Sequence, residues 1–452
     1  MKITVAGCGK IGVTVVKALV NEGHDVTVID INASVISDLL NVYDVMGVCG
    51  SASDCTVLKD AGTENAELFV ATTGSDEMNM LTCFLAKKMG AKQTAARLRN
   101  PEYNYESLNF IKQSLDISMV FNPEYLAAQE LFNMLKLPSA SKVETFSRRN
   151  FEMIELNIKE DSLLANKSLS EIRKQFEGNF LVCAVRRGEK VIIPGGDFVL
   201  NAGDKIGLIA APAQVQKLLK KAGIMKKQAR NVIIAGASRT AFYLARMLLN
   251  AGNSVKIIDK SRERCNEFCA QLEGADIVCG DTLNQDVLAE EGINDCDAFV
   301  TLTGIDEENM ILAFFAGTKN VPKVISKVNR DEFANLAETM GLESVVSPQK
   351  ITSDVILRYA RALENSIGSS VETLYKLMDD TTEALEFIIE DGCPLCGKAI
   401  KELNLRKSVL IAGIIRGRKP FIPSGDDVIE PADRVVIVSG GEKITDIKDI
   451  LK

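Results

Sequence analysis

The 452-residue chain is too long for one hydrophobic core, so two to four domains are expected. Its ordinary soluble composition and net charge of −8 argue against a nucleic-acid partner, whose phosphates demand a basic face. No apolar run approaches the roughly eighteen residues of a membrane span, and eleven scattered cysteines, an odd number, fit a reducing compartment.

The chain opens on "KITVAG", an apolar strand rather than a secretion signal, and a cytosolic protein is expected. Gly7-Cys8-Gly9-Lys10-Ile11-Gly12 follows. This is the G-x-G-x-x-G pattern, set between a strand and a helical run (Val13–Val20) and followed by a second strand ending in Asp30. Gly7 permits the turn, Gly9 lets a pyrophosphate approach the backbone, and Gly12 lets the helix pack closely on the sheet. The unpaired amides of the helix then hold phosphate. Asp30 suits an adenosine ribose and repels the extra phosphate of NADP, which favours NAD(H), or ATP and ADP. Lys10 is placed to reach a phosphate, or is a solvated surface lysine.

Further strands, "YDVMGVCG", "LFVATT" and "TAARLR", alternate with helical patterns, which means βαβ units and a parallel sheet. Thr72 and Thr73 end the fourth strand at the edge where ligands of such sheets lie. They are ligand contacts or caps of the next helix, a task that Ser75 or Asp76 can also perform. Arg97 closes the fifth strand, as a phosphate contact or in an ordinary ion pair. After Pro123 a helix is expected, with Leu126, Leu131 and Leu135 burying one face, on a partner subunit if no part of the chain covers them. Short β runs broken by Gly, Pro and Asp come next, with the helical patterns "LSEIRKQF" and "QVQKLLKKAG", as in a small α+β domain.

The chain is then written again. "FVATTGSDEMNM" matches "FVTLTGIDEENM" at eight of twelve positions, 230 residues on, and "RGEKVIIPGGDFVLNAGD" matches "RGRKPFIPSGDDVIEPAD" at nine of eighteen, 229 on. The expected order is a doubly wound domain (1–122), a crossover helix (123–140), an α+β domain (141–224), and then the same three parts at 230–347, 348–367 and 368–452. In the second copy Gly236 and Asp259 persist, but Gly9 is replaced by Ser238 and Gly12 by Ala241. Lys10 becomes Arg239, and Arg97 becomes Lys327. Serine adds a β-carbon where pyrophosphate must come close, whereas alanine is read as a mild change. Weakened or altered binding at the second loop is expected.

Enzyme chemistry finds little support. A dehydrogenase needs a proton-transfer residue beside the cofactor, and the single histidine, His24, precedes a strand at the wrong edge. Cys393-Pro394-Leu395-Cys396 aligns with Ser162–Ala165, where no cysteine stands, and lacks a second pair to complete a zinc site. It reads as a loop without chemistry. Cys265 and Cys269 read as core-facing thiols.

With "GCGKIG", "ATTGSDEMN" and "IPGGD…GD" set in two copies of Rossmann plus α+β module, the chain resembles the TrkA family of Trk potassium-uptake proteins over essentially its whole length. The modules of that family are RCK (KTN) N- and C-terminal domains. The resemblance implies a peripheral regulatory subunit, not an enzyme, on the cytoplasmic face of a TrkH/TrkG-type membrane potassium transporter. It implies assembly into a homo-oligomeric RCK ring, a tetramer, gated by NAD(H) or ATP/ADP. It also implies nucleotide contacts at Gly7 through Gly12, Asp30, Thr72, Thr73 and Arg97, with Gly236 and Asp259 marking the second site. Lys10 would touch phosphate, and Glu124, which becomes Gln349 in the second copy, would help bind a metal-nucleotide.

Overall fold

A computed structural model describes residues 1–101, 103, 105–146, 151–176, 179–188, 190–365, 371–377, 382–406, 408–417, 419–440, 444 and 446–452. The expected boundary at 367–368 lies outside these, as do positions 189 and 418 of the repeated hairpin motif.

The first domain comprises β1 (Lys2–Ala6), α1 (Lys10–Asn21), β2 (Asp25–Asp30), α2 (Ala33–Val42), β3 (Met46–Cys49), α3 (Cys55–Asp60), β4 (Leu68–Ala71), α4 (Asp76–Met89), β5 (Gln93–Arg97), α5 (Tyr105–Ser114) and β6 (Met119–Phe121). Its six strands are parallel in the order β3-β2-β1-β4-β5-β6. Strand order reverses between β1 and β4, so the crevice of a doubly wound sheet opens beyond Ala6 and Ala71. β4 is buried along its whole length, which is why it reads as an unbroken apolar run.

Helix α6 (Pro123–Lys136) leads to β7 (Lys142–Phe146), β8 (Phe151–Asn157), β9 (Lys167–Ser168), α7 (Leu169–Phe176), β10 (Phe180–Arg187), β11 (Lys190–Ile192), β12 (Val199–Leu200), β13 (Lys205–Ala210) and α8 (Pro212–Lys221). The second doubly wound domain is built from β14 (Asn231–Ala235), α9 (Arg239–Asn250), β15 (Ser254–Asp259), α10 (Arg262–Gln271), β16 (Asp276–Cys279), α11 (Gln285–Glu290), β17 (Ala298–Thr301), α12 (Asp306–Thr318), β18 (Lys323–Lys327), α13 (Asp331–Thr339) and β19 (Val345–Val346). Helix α14 (Pro348–Asn365) is followed by β20 (Val371–Leu377), β21 (Thr382–Ile388), β22 (Val409–Arg416), β23 (Lys419–Phe421) and β24 (Arg434–Gly440).

The second parallel sheet, β16-β15-β14-β17-β18-β19, repeats the order of the first. The small domains carry five-stranded antiparallel sheets, β11-β10-β13-β8-β7 and β20-β21-β24-β22-β23. In the second of these, the helical positions are single 3₁₀ turns, Ile400–Glu402 and Ile447–Ile450, the latter held by a capping box from Asp446 and Asp449.

The modules group by type rather than by chain order. One compact unit holds both doubly wound domains (Met1–Phe132 and Arg230–Ala360), and the other holds both small domains (Asn133–Ala229 and Arg361–Lys452). In the latter, Phe151, Cys183 and Ile209 of the first sheet share one core with Ala412, Ile415 and Val436 of the second. Leu131 and Leu135 of α6 are buried within this one chain, and Leu126 is half-buried. Cys265 is buried but Cys269 is exposed, so only the first of the two thiols faces the core.

Candidate functional site: an open loop and a shared cationic cleft

The first glycine loop is built from clashes that only glycine avoids. Gly7 has φ of +90°, and a β-carbon there would sit 2.6 Å from the Thr73 amide nitrogen. A β-carbon at Gly12 would lie 2.1 Å from the Gly7 carbonyl oxygen, so alanine is not a mild change in the first loop. At Gly9 the same added atom meets nothing within 4 Å. That glycine faces open space and caps α1 without a side chain. Among the described residues the amides of Gly9, Lys10, Ile11 and Gly12 have no hydrogen-bond acceptor.

Asp30 braces this loop. Its Oδ2 accepts from the Cys8 amide at 2.7 Å and its Oδ1 from the Asn32 amide at 2.8 Å, and no basic side chain pairs with it among the described residues. The Cys8 thiol is buried beneath the loop and pushed up to about 12, by burial and then by the Asp30 charge. Thr72 turns its hydroxyl into the fold, donating to the Gly7 carbonyl at 2.6 Å. Thr73 gives both its amide and its hydroxyl to Asn79 Oδ1, each at 2.7 Å. The cap of α4 is Ser75, whose hydroxyl accepts from the Met78 amide.

Asn79 is the organiser of this edge. It is fully buried, and its Nδ2 donates to the Arg97 carbonyl at 2.9 Å, which clasps the ends of β4 and β5 together. In the sequence it carries no mark of chemistry beyond its place in the repeated "DEMNM"/"DEENM" motif. Asn309 repeats the clasp through Thr303 and Lys327.

Arg97 is itself buried. Its Nη2 donates to the Thr73 carbonyl, while its Nε has no partner. Burial first, then the neighbouring Arg99, lowers its pKa.

The second loop keeps the frame and fills the opening. Gly236 has φ of +103° and the same close approach to its fourth strand. Asp259 accepts from the Ala237 amide at 2.7 Å and the Ser261 amide at 2.8 Å, as Asp30 does, but it is buried and Arg264 lies 3.5 Å from it. Ser238 Oγ accepts from the Ala241 amide at 3.4 Å, so a side chain serves the helix end that is bare in the first copy.

Between the two loops lies a cleft of about 580 Å³, lined from both copies. Lys10, Arg97, Arg99, Arg239, Arg264 and Lys327 face it, against the acids Glu124 and Glu267. Glu124 Oε2 is buried without a partner. Lys327 Nζ makes no ion pair or hydrogen bond among the described residues, and burial lowers its pKa to about 8 despite the opposing pull of Asp306 and Glu124. The copies meet in a pseudo-symmetric way. Thr14 of α1 reaches Gln349 at 3.2 Å, while Tyr243 of α9 donates to the Arg99 carbonyl at 3.2 Å and accepts from Asn122 Nδ2 at 3.0 Å. The Tyr243 ring stacks edge-on against Tyr125. Gln349 thus reaches the helix of the intact loop.

The TrkA-N domain model matches residues 3–123 and 232–348, and the TrkA-C domain model matches 153–223 and 384–452. A Trk system potassium uptake protein TrkA homolog of Archaeoglobus fulgidus is 33% identical over 100% of both chains. The chain belongs to the TrkA family. Full-length similarity extends to the Trk system potassium uptake protein TrkA of Vibrio alginolyticus, 28% identical over 100% of this chain and 99% of that one. Among solved structures, the GsuK channel aligns with a TM-score of 0.64 at 18% identity, covering 97% of this chain and 76% of the other. The GsuK channel bound to NAD aligns with a TM-score of 0.62 at 17% identity over the same shares, so the likeness is one of fold. Among the described residues, no helix is long and apolar enough to cross a membrane.

Proposed function

We propose that the chain is a nucleotide-controlled regulatory subunit of potassium uptake. It takes NAD(H), with ATP or ADP as the alternative, on the first glycine loop. One observation carries this reading: four backbone amides at the start of α1 are left without acceptors beside a cleft dominated by cations. Phosphate oxygens are the acceptors such an edge is built for. Asp30, braced by amides and, among the described residues, paired with no cation, would receive the ribose hydroxyls, with Gly7 through Gly12 around the phosphates. Thr72 and Thr73 shape the crevice, and Arg97 and Lys10 face the phosphate path. A relative named for potassium uptake and a structural neighbour bound to NAD support the same choice.

The second site, marked by Gly236 and Asp259, keeps the shape and lends Arg239 and Lys327 to the shared cleft. The site binds and couples rather than catalyses. Nucleotide drawn between the copies would shift their packing only by the difference in its affinity for the two arrangements. The shift would act on a TrkH/TrkG-type membrane potassium transporter, with the chain docked at its cytoplasmic face in a homo-oligomeric ring, a tetramer. Calorimetry of NADH and ATP against the wild type and Asp30→Ala tests the site, and undiminished binding in the variant would remove it. Potassium flux in vesicles holding the membrane subunit tests the coupling, and flux indifferent to nucleotide and to this chain would end that part of the reading.

A further inference from the structure

The remaining chemistry of the molecule lies in its sulfurs. Cys8, Cys83, Cys183 and Cys296 are buried, and burial raises each thiol well above its usual range, so they are shielded and poorly ionised. Cys393 and Cys396 differ, because both are half-exposed.

We propose that Cys393 and Cys396 form a dithiol site in the second small domain, which low-molecular-weight disulfides close to an intramolecular disulfide. The Cys396 amide donates to the Cys393 carbonyl at 3.0 Å, which defines a four-residue turn with Pro394 at its second position. Such a turn brings its end Cα atoms within about 7 Å, the span a disulfide bridges. Beyond the effect of burial, Cys393 lies near enough for its charge to raise the Cys396 thiol. Leu395 is fully buried between them and Cys396 pairs with Ile429, so the turn is anchored while its sulfurs stay in reach of a small reagent.

The first small domain makes the same turn without sulfur. The Ala165 amide donates to the Ser162 carbonyl at 3.0 Å, and Leu164 fills the place of Leu395. The fold therefore requires the turn and its buried leucine but not the cysteines. Burial first, then the charge of Cys393, raises the Cys396 thiol. The Cys393 thiolate attacks a disulfide RSSR, forming Cys393–S–SR and releasing RS⁻. The Cys396 thiolate then attacks the Cys393 sulfur, forming the Cys393–Cys396 bond and expelling the second RS⁻. The external disulfide is reduced to two thiols, and the protein loses two hydrogens.

The full chain, first reduced, is incubated in glutathione buffers of increasing disulfide fraction, alkylated, and analysed as intact protein and as peptides. The expected result is loss of two hydrogens confined to the peptide holding residues 393–396, reversed by dithiothreitol. Cys396→Ser should trap one glutathione on Cys393, and Cys393→Ser should abolish the bridge. The double variant Cys393→Ser/Cys396→Ala, which restores the residues of the first copy, should melt as the wild type does, so that loss of oxidation is not loss of fold. Two alkylated thiols at 393 and 396 throughout the titration would overturn the proposal. So would oxidation falling on Cys265 and Cys279 instead, where burial and then the Cys279 charge raise the Cys265 thiol.

Discussion

At the scale of single residues, the two loops differ by a few atoms whose consequences are steric and electrostatic. Gly12→Ala would place a methyl group 2.1 Å from the Gly7 carbonyl. It is expected to cost about 1–3 kcal/mol of stability by overpacking and to abolish nucleotide binding, which melting and calorimetry read separately. Ser238→Gly removes the hydroxyl that serves the Ala241 amide, at only a few tenths of a kcal/mol as a cap. It is expected to move calorimetric stoichiometry from one nucleotide per chain toward two. A ratio fixed at one would mean that Ala241 or the Asp259–Arg264 pair, not the serine, closes the second loop.

Lys327 gives the cleft a pH dependence of known sign. Its folded value of about 8 lies below the ordinary lysine value of 10.5. Between those pH values the unfolded chain holds the proton that the folded chain has released, so stability rises with pH across that window. Affinity for a polyphosphate should fall over the same window, because a charge that faces the cleft alongside Glu124 is lost. Lys327→Arg, the residue of the first copy, is expected to flatten both slopes.

At the scale of elements, a helix end and a clasp do most of the positioning. α1 and α9 occupy the same place in their sheets, yet one starts with four open amides and the other with a serine cap. The buried clasps Asn79 and Asn309 hold the fourth and fifth strands of each sheet at the spacing that sets Arg97 and Lys327 beside the cleft. Asn79→Ala leaves the Thr73 amide and the Arg97 carbonyl without that partner. It is expected to cost about 1–3 kcal/mol for the buried groups left unmade and to weaken nucleotide binding through a displaced Arg97. Tyr243→Phe keeps the ring stack on Tyr125 but drops the hydroxyl shared by Asn122 and Arg99. It should lower melting only slightly.

At the scale of the molecule, duplication puts two near-equal sheets in one unit and lets their edges face each other. Neither copy alone has the cleft; six cations from the pair make it. Anion binding there should weaken as ionic strength rises, because charges this close to solvent are screened within about 10 Å at 0.1 M salt. Titration of ATP at several salt concentrations checks this, and an affinity independent of salt would place the phosphates elsewhere.

The period of apolar residues, the turn chemistry and the 229–230-residue repeat of "FVATTGSDEMNM" and "RGEKVIIPGGD" determined the sheets, the glycine loop and the family on their own, because these are local signals written in adjacent residues. Tertiary structure alone decided the rest. It turned Thr72 inward, because its hydroxyl finds the Gly7 carbonyl. It made Asn79 a clasp, covered Leu131 from within the chain, and brought Lys327 and Arg97 to one cleft from positions 230 residues apart. Contacts of that kind depend on where distant segments pack, and no spacing along the chain records it.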